Sequence, residues 1–260
     1  MDFKFLKYSV QDGVATLSLN RPEVYNALND AITYELQDAW KQIAKDDLVR
    51  VVILTGEGKA FCSGQDLKEG ADQEKRSFMD SLHKRYNPII RAMRNLPKPI
   101  VCRLNGVAAG AGCSMALACD MIVAAEEATL IEVFINIGLV PDSGSSYFLP
   151  QLIGKAKAFE LCSMGSRVKA REALDLGLVN KVVSSDQLNV AVREYTDYFA
   201  KAPTKSIGII KKMLNKAATS SLDEMLEYEA YCQETAGATH DYKEGVTAFL
   251  EKRKPNFLGK

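Results

Sequence analysis

The stretch Asn105-Gly106-Val107-Ala108-Ala109-Gly110-Ala111-Gly112-Cys113-Ser114-Met115-Ala116-Leu117-Ala118-Cys119-Asp120 decides how the rest of the chain is read. It follows the β-branched run Ile100 to Leu104, passes through residues no larger than Val from Gly106 to Gly112, and ends in an apolar segment suited to a buried helix. The order is strand, tight loop, helix N-terminus. Small side chains let a ligand approach the main chain, and the unpaired N–H groups of a first helical turn, with the dipole behind them, hold negative charge. Two readings follow: the loop holds an anion or a developing oxyanion, or it is close packing of a helix on a sheet.

Upstream, residues 3–10 alternate weakly and Gly13 turns them into Val14 to Leu19, which predicts a hairpin. Ile32, Leu36, Ala39, Trp40 and Ile43 recur at helical spacing after Asn29, a residue able to cap, with Asp30 in the first turn. Residues 49–55 form a nearly continuous apolar strand, as expected of one covered on both faces. The polar residues 68–78 predict a mobile loop, His83 to Leu96 a helix, and Pro97-Lys98-Pro99 its stop.

Downstream, residues 121–125 read as another strand, so strand, helix and strand occur twice: first as 14–19, 29–45 and 49–55, then as 100–104, 113–119 and 121–125. After Pro141-Asp142-Ser143-Gly144 the pattern is helical over 145–152, 155–163 and 170–176, with a strand from Val179 to Val183 and helices near 187–201, 206–216, 222–235 and 241–252. Composition shifts from mixed to helical near residue 186, which predicts a core of residues 1–186 and a helical region of residues 187–260.

A chain of 260 residues can bury a full core, and 47% apolar with 25% charged residues is ordinary for a globular protein. The 33 Lys and Arg balance the 33 Asp and Glu, leaving no overall field to draw in nucleic acid or an anionic membrane. Met1 to Phe5 lacks the apolar core of a signal peptide, and no apolar run approaches the roughly 18 residues of a membrane span, so a cytoplasmic protein is expected. The six cysteines form no CxxC pair and predict buried thiols. The two histidines, His83 and His240, stand near no second ligand at metal spacing, so no metal is expected.

Two small-residue turns carry the first chemical signal. Ser63-Gly64-Gln65 and Gly110-Ala111-Gly112 each follow a predicted strand, and if they converge, two backbone N–H groups meet one oxygen as an oxyanion hole. Gly112-Cys113-Ser114-Met115-Ala116 looks like a degenerate nucleophile elbow, which offers Ser114 as a hydrolase nucleophile, with two histidines in the chain to supply a base. Asp142, after Pro141, either caps the helix starting near Gly144 or serves as an acid/base.

Five motifs in order then resemble one family. Asn20-Arg21-Pro22 with Asn26-Ala27-Leu28, Phe61-Cys62-Ser63-Gly64-Gln65-Asp66-Leu67, Pro97-Lys98-Pro99, Asn105 to Gly112, and Gly138-Leu139-Val140-Pro141-Asp142-Ser143-Gly144 closely resemble the crotonase superfamily, also called the enoyl-CoA hydratase/isomerase family, from about residue 3 to residue 260. The resemblance implies an α/β fold, the crotonase (ClpP-like) spiral of ββα units, with a C-terminal helical oligomerisation region that makes homotrimers, often paired as hexamers. It implies an acyl-CoA thioester as substrate, with CoA part of that substrate and no separate cofactor. The shared chemistry is stabilisation of a thioester enolate, and the oxyanion donors carried over are the N–H groups of Gln65 and Ala111. Substrate and CoA contacts fall on Arg21, Ser63, Gly64, Asp66, Leu67 and Gly112, and on Phe249 and Lys252 of a neighbouring subunit. Lys252 also reads as a solvated charge in a last helical turn. His83, with Tyr86-Asn87-Pro88, lines the acyl pocket or is an exposed helix residue.

The sequence departs from the hydratase pattern at the acids. Enoyl-CoA hydratases place one glutamate directly after the Gly-x-Gly-Cys turn and another about twenty residues on, to orient water and deliver a proton. Those positions here are Ser114 and Phe134. Isomerase branches carry an acid at or next to Asp142, and residues 138–144 together with Asp241 to Arg253 resemble the 1,2-epoxyphenylacetyl-CoA isomerase branch. The expectation is an acyl-CoA isomerase with Asp142 as acid/base. Enoyl-CoA hydratase is the leading alternative, followed by a catalytically silent acyl-CoA-binding protein.

Overall fold

The computed structural model describes residues 3–68 and 77–260. The mobile loop expected at residues 68–78 falls largely outside the described residues.

The chain winds as a spiral in which two strands and a helical stretch repeat. A hairpin of β1 (Leu6–Gln11) and β2 (Val14–Leu19) leads to α1 (Asp30–Lys45). The next turn contributes β3 (Val51–Gly56), β4 (Ala60–Cys62), α2 (Phe78–Ser81) and α3 (Asn87–Asn95). Then come β5 (Ile100–Leu104), β6 (Val107–Ala109) and α4 (Ala111–Leu117). The following turn holds β7 (Met121–Ala125), β8 (Thr129–Ile131) and α5 (Ser145–Met164). After β9 (Arg167–Lys169), α6 (Ala170–Asp175) and β10 (Lys181–Val183) the chain is helical: α7 (Leu188–Phe199), α8 (Thr204–Ala217), α9 (Leu222–Gly237) and α10 (His240–Leu250).

Successive strands go to different sheets. One sheet has the order β1-β2-β3-β5-β7-β10, parallel except for the β1–β2 hairpin, and the other has the order β4-β6-β8-β9, with β9 antiparallel to β8. This second sheet corrects the sequence reading. Residues 107–109 were expected as loop and pair instead with β4 and β8, and residues 60–62, 129–131 and 167–169 carried no strand expectation. The expected spiral of ββα units is thus present, with its second strand supplied by three-residue segments.

Alternation explains why β3 reads as apolar throughout. Val52 and Leu54 join the main core beneath α1, α3, α4 and α5, while Val51 packs with Val101, Val123 and Ala125 against Leu188, Ala191 and Val192 of α7. The sheet is covered on both faces, as a largely parallel sheet requires. In α1, Ile32, Leu36, Trp40 and Ile43 are at most 1% exposed, each worth about 1.5–3 kcal/mol of burial. Asn29 accepts the Ile32 N–H at 3.0 Å and caps that helix as expected. At the other end Lys98, held between two prolines, donates from Nζ to the carbonyls of Ile43 and Asp46, both at 2.7 Å. The predicted helices 145–152 and 155–163 are the two parts of α5, broken at Gly154.

The C-terminal region is tied to the core through side chains. Arg50 donates to Thr204 Oγ1, Ala202 O and Phe257 O, and the buried Asp241 accepts the N–H groups of Leu258 and Gly259 at 2.8 Å each. Among the described residues no helix is long and apolar enough to cross a membrane.

Candidate active site

The two small-residue turns do converge. An added Cβ at Gly64, whose φ is +91°, would lie 2.8 Å from the Ala109 carbonyl oxygen and 3.7 Å from the Ala111 amide nitrogen. An added Cβ at Gly112 would strike the Cys62 carbonyl oxygen at 2.3 Å and its Cβ at 2.7 Å. The end of β4 and the start of α4 therefore touch main chain to main chain, a fit that glycine permits.

Each turn leaves one N–H turned outward. The Ser63–Asp66 strand end pairs with Leu28 through Leu28 N–H to Gly64 O at 2.7 Å and Asp66 N–H to Leu28 O at 3.0 Å, so the intervening Gln65 N–H points to the other side. Ala111 is the first residue of α4, where an N–H has no intrahelical acceptor. Among the described residues neither the Gln65 nor the Ala111 N–H donates to an acceptor. Two free amides on touching turns are what an oxyanion hole needs.

The Ser63–Leu67 turn is braced from the Asn20-Arg21-Pro22 motif. Asn26 accepts the Arg21 N–H at 2.9 Å and donates to the carbonyls of Glu57 and Ala60, both at 2.9 Å. Arg21 Nη1 reaches Ala27 O at 2.6 Å and Asp66 Oδ2 at 3.0 Å. Arg21 and Asp66, expected to contact CoA, are thus buried against each other behind the turn. Ser63 is anchored by its N–H to Tyr25 O at 3.0 Å, and Leu67 is exposed.

Tyr86 closes one side. A π-helical turn over Leu82–Tyr86 joins α2 to α3 and places the buried Tyr86 hydroxyl 3.4 Å from Gln65 Oε1. Burial raises the Tyr86 phenol above its usual range, the Arg85 charge opposes this, and the Asp142 charge adds to it. His83, on the same turn, is exposed, which favours the surface reading.

Asp142 stands on the segment leading into α5. Its side chain caps nothing: Gly144 is the N-cap of α5, without a side-chain cap bond, and Asp142 Oδ1 accepts from Ser143 Oγ at 2.8 Å. The cap reading is therefore set aside. Ser143 and Gly144 both have positive φ, 52° and 94°, a rare geometry for serine that the surroundings must enforce. Burial raises the Asp142 carboxyl above the ordinary aspartate range, with the Ser143 hydroxyl pulling the other way.

Ser114 is 0% exposed, and its Oγ meets Gly110 O at 3.2 Å, Asp142 O at 3.0 Å and Ser145 Oγ at 2.7 Å, with no histidine among these partners. This removes the nucleophile reading. Phe134 is buried, its ring tip 3.7 Å from where a Gly110 Cβ would stand, so an aromatic edge occupies the side of the Gly110 turn. Cys62 and Cys113 are buried thiols, the former pushed up to about 12 by burial, and neither is an available nucleophile.

Phe249 and Lys252 lie elsewhere, exposed at the C-terminal end of α10 and just beyond it. Among the described residues no hydrogen bond or ion pair joins either side chain to Gln65, Ala111 or Asp142. Sequence reasoning missed Glu132 and Ser145, which lie under the Asp142 segment and bond each other at 2.8 Å. A single acid inside the apolar run Leu130 to Ile135 was the available signal for Glu132.

Comparison with known proteins agrees with this geometry. Residues 9–260 match the enoyl-CoA hydratase/isomerase family. The 1,2-epoxyphenylacetyl-CoA isomerase of Escherichia coli (strain K12) is 40% identical over 260 residues, covering 99% of each chain. The trans-2-decenoyl-[acyl-carrier-protein] isomerase of Streptococcus mutans is 35% identical over 263 residues, covering 100% of each. The crystal structure of an enoyl-CoA hydratase from Bacillus anthracis superposes with a TM-score of 0.93 at 33% identity, covering 99% of this chain and 100% of that one. With the spiral fold and the paired free amides of Gln65 and Ala111, these matches place the chain in the enoyl-CoA hydratase/isomerase, or crotonase, family of enzymes that act on CoA thioesters.

Proposed function

We propose that the protein is an acyl-CoA isomerase in which Asp142 moves the proton. The thioester carbonyl oxygen sits between the N–H groups of Gln65 and Ala111. Asp142 removes a proton from the carbon next to the thioester of a 3-enoyl-CoA, the two amides hold the dienolate oxygen, and the same carboxylic acid returns the proton two carbons away, giving the conjugated 2-enoyl ester. No atom is gained or lost, and the step calls for no metal or redox cofactor beyond the CoA ester itself. An aryl epoxide is the second substrate class this machinery suits, and the name of the Escherichia coli relative favours testing it.

The carrying observation is the replacement pattern at the acids. Ser114 is sealed in and committed to neighbouring oxygens, and Phe134 offers a ring where a hydratase has its second carboxylate. Asp142 remains, with its carboxyl raised by burial toward the basicity a proton shuttle needs. Arg21 and Asp66 serve by fixing the turn that presents Gln65. For the assembly we propose a homotrimer or its paired hexamer, with the exposed Phe249 and Lys252 reaching the CoA of a neighbouring subunit.

The test compares wild type with Asp142→Asn on a 3-enoyl-CoA, following the conjugated product. The expected result is turnover by wild type and a loss of about a hundredfold or more in the variant, with ligand still bound. Hydration of 2-enoyl-CoA by a wild type inert on the 3-enoyl ester, or a fully active Asp142→Asn, would overturn the reading.

A further inference from the structure

Glu132 follows β8 directly and is 3% exposed, too deep to touch a substrate. Its Oε1 lies 2.8 Å from Ser145 Oγ, and Ser145 Oγ lies 2.7 Å from Ser114 Oγ. Ser114 Oγ in turn donates to the carbonyl oxygen of Asp142 at 3.0 Å, and the Ser145 N–H donates to that same oxygen at 3.1 Å. Residues from the end of β8, from α4 and from the first turn of α5 thus converge on the peptide that carries Asp142. That peptide precedes two residues in left-handed geometry, which do not hold themselves there.

We infer that Glu132 is a positioning residue for the reaction: through Ser145 and Ser114 it fixes the Asp142 peptide and so aims the Asp142 carboxylate. The inference rests on the reading of Asp142 as the acid/base.

Counting hydrogens shows how the chain can work. Each serine has one hydroxyl hydrogen and two lone pairs. With Glu132 neutral, its O–H donates to Ser145 Oγ, Ser145 donates to Ser114 Oγ, and the Ser114 hydrogen is left for a main-chain carbonyl, of which Asp142 O at 3.0 Å is nearer than Gly110 O at 3.2 Å. With Glu132 ionised, the Ser145 hydrogen is drawn to Oε1. Ser145 Oγ then competes for the Ser114 hydrogen, and the clamp on Asp142 weakens. The surroundings favour the neutral form: Oε2 is sealed from solvent without a hydrogen-bond partner among the described residues, and an unpaired buried carboxylate oxygen is costly. Burial pushes the Glu132 carboxyl up to about 7, with the Asp142 charge adding and the Ser145 hydroxyl and Cys113 thiol opposing. The titratable groups that face it are Cys113 of α4, Cys162 of α5 and Asp142 itself, and both thiols are held up by burial and stay neutral.

The experiment measures kcat and KM against pH for wild type, Glu132→Met, Glu132→Gln and Ser145→Ala on the 3-enoyl-CoA, with Asp142→Asn alongside and the folded fraction of each checked by circular dichroism. Glu132→Met and Ser145→Ala are expected to lower kcat about tenfold or more per folded enzyme while KM stays within about threefold. Glu132→Gln, whose amide N–H₂ can donate to Ser145 as the neutral acid does, is expected to recover most of that kcat and to lose the fall in activity that wild type shows as pH rises through neutrality. If Glu132→Met fails to fold, Ser145→Ala, which breaks the chain and removes one oxygen atom, decides. Wild-type kcat and pH profile in Ser145→Ala and Glu132→Gln, with Asp142→Asn inactive, would overturn the inference and leave the Asp142 reading standing. An active Asp142→Asn would remove both.

Discussion

Arg21 Nη1 and Asp66 Oδ2 lie 3.0 Å apart with side chains only 7% and 8% exposed, a buried ion pair directly behind the turn that presents Gln65. Removing one member takes from the other its buried countercharge, a loss of up to about 3–5 kcal/mol. Arg21→Met is therefore expected to lower the unfolding free energy by about that amount in urea titration. The double variant Arg21→Met with Asp66→Leu should recover much of it. A single variant as stable as wild type would show that the pair does not brace the turn.

Gly64→Ala tests the convergence of the two turns. A methyl at this position meets the Ala109 carbonyl 2.8 Å away, on a backbone with φ of +91°. One of the two turns must yield, and displacement of an oxyanion donor is expected to reduce kcat by about 10²–10³. KM should change much less, because the donor acts mainly on the enolate. Steady-state kinetics on the 3-enoyl ester separates the two; a rise in KM with unchanged kcat would contradict the assignment.

Glu132 predicts a pH dependence of stability with a definite sign. The folded protein keeps the Glu132 proton up to about pH 7, whereas the unfolded chain releases it near the ordinary 4.5. Between those values the unfolded state binds fewer protons, so stability falls as pH rises, by about 3 kcal/mol over the whole interval. Glu132→Gln does not titrate. Its Tm relative to wild type should climb between about pH 5 and about pH 8 and then level off. A constant difference in Tm across that range would mean that Glu132 is ionised throughout.

Lys98 offers a fourth check, away from the chemistry. Its ammonium satisfies two carbonyls at the end of α1 while remaining 7% exposed. Lys98→Met keeps the packing but takes the ammonium from both carbonyls, of which Asp46 O still accepts the Val49 N–H at 3.1 Å, and should destabilise by about 1–3 kcal/mol, read by thermal melting, with kcat unchanged.

Much of this was legible in the sequence. Asn29 as a cap, the doubly covered β3, the break between the two parts of α5 and the two glycine turns follow from local chemistry that tertiary packing leaves intact. The second sheet was not legible, because β4, β6, β8 and β9 each span three residues, too few to show a period of two. Val107-Ala108-Ala109 looks like loop for the same reason that it works as strand: small side chains are needed where β4, β6 and α4 crowd together. Arg21 and Asp66, which are 45 positions apart, meet only through the fold. The same holds for Glu132 and Ser145, whose pairing no spacing rule encodes. The composition shift near residue 186 marks where strands give out, and it does not reveal that α7 covers the sheet.

The groups that Gln65 and Ala111 leave free are main-chain N–H groups, so on the proposed mechanism the side chains at those two positions are not what the reaction uses. A mutational map built by exchanging side chains would pass over Gln65 and score Ala111 by its size alone. It would instead light up Gly64 and Gly112, which contribute no reactive atom but have no room to accept a methyl. On the proposed mechanism, substitutions beside the working groups silence the enzyme, and the cradle for the enolate is written in backbone geometry.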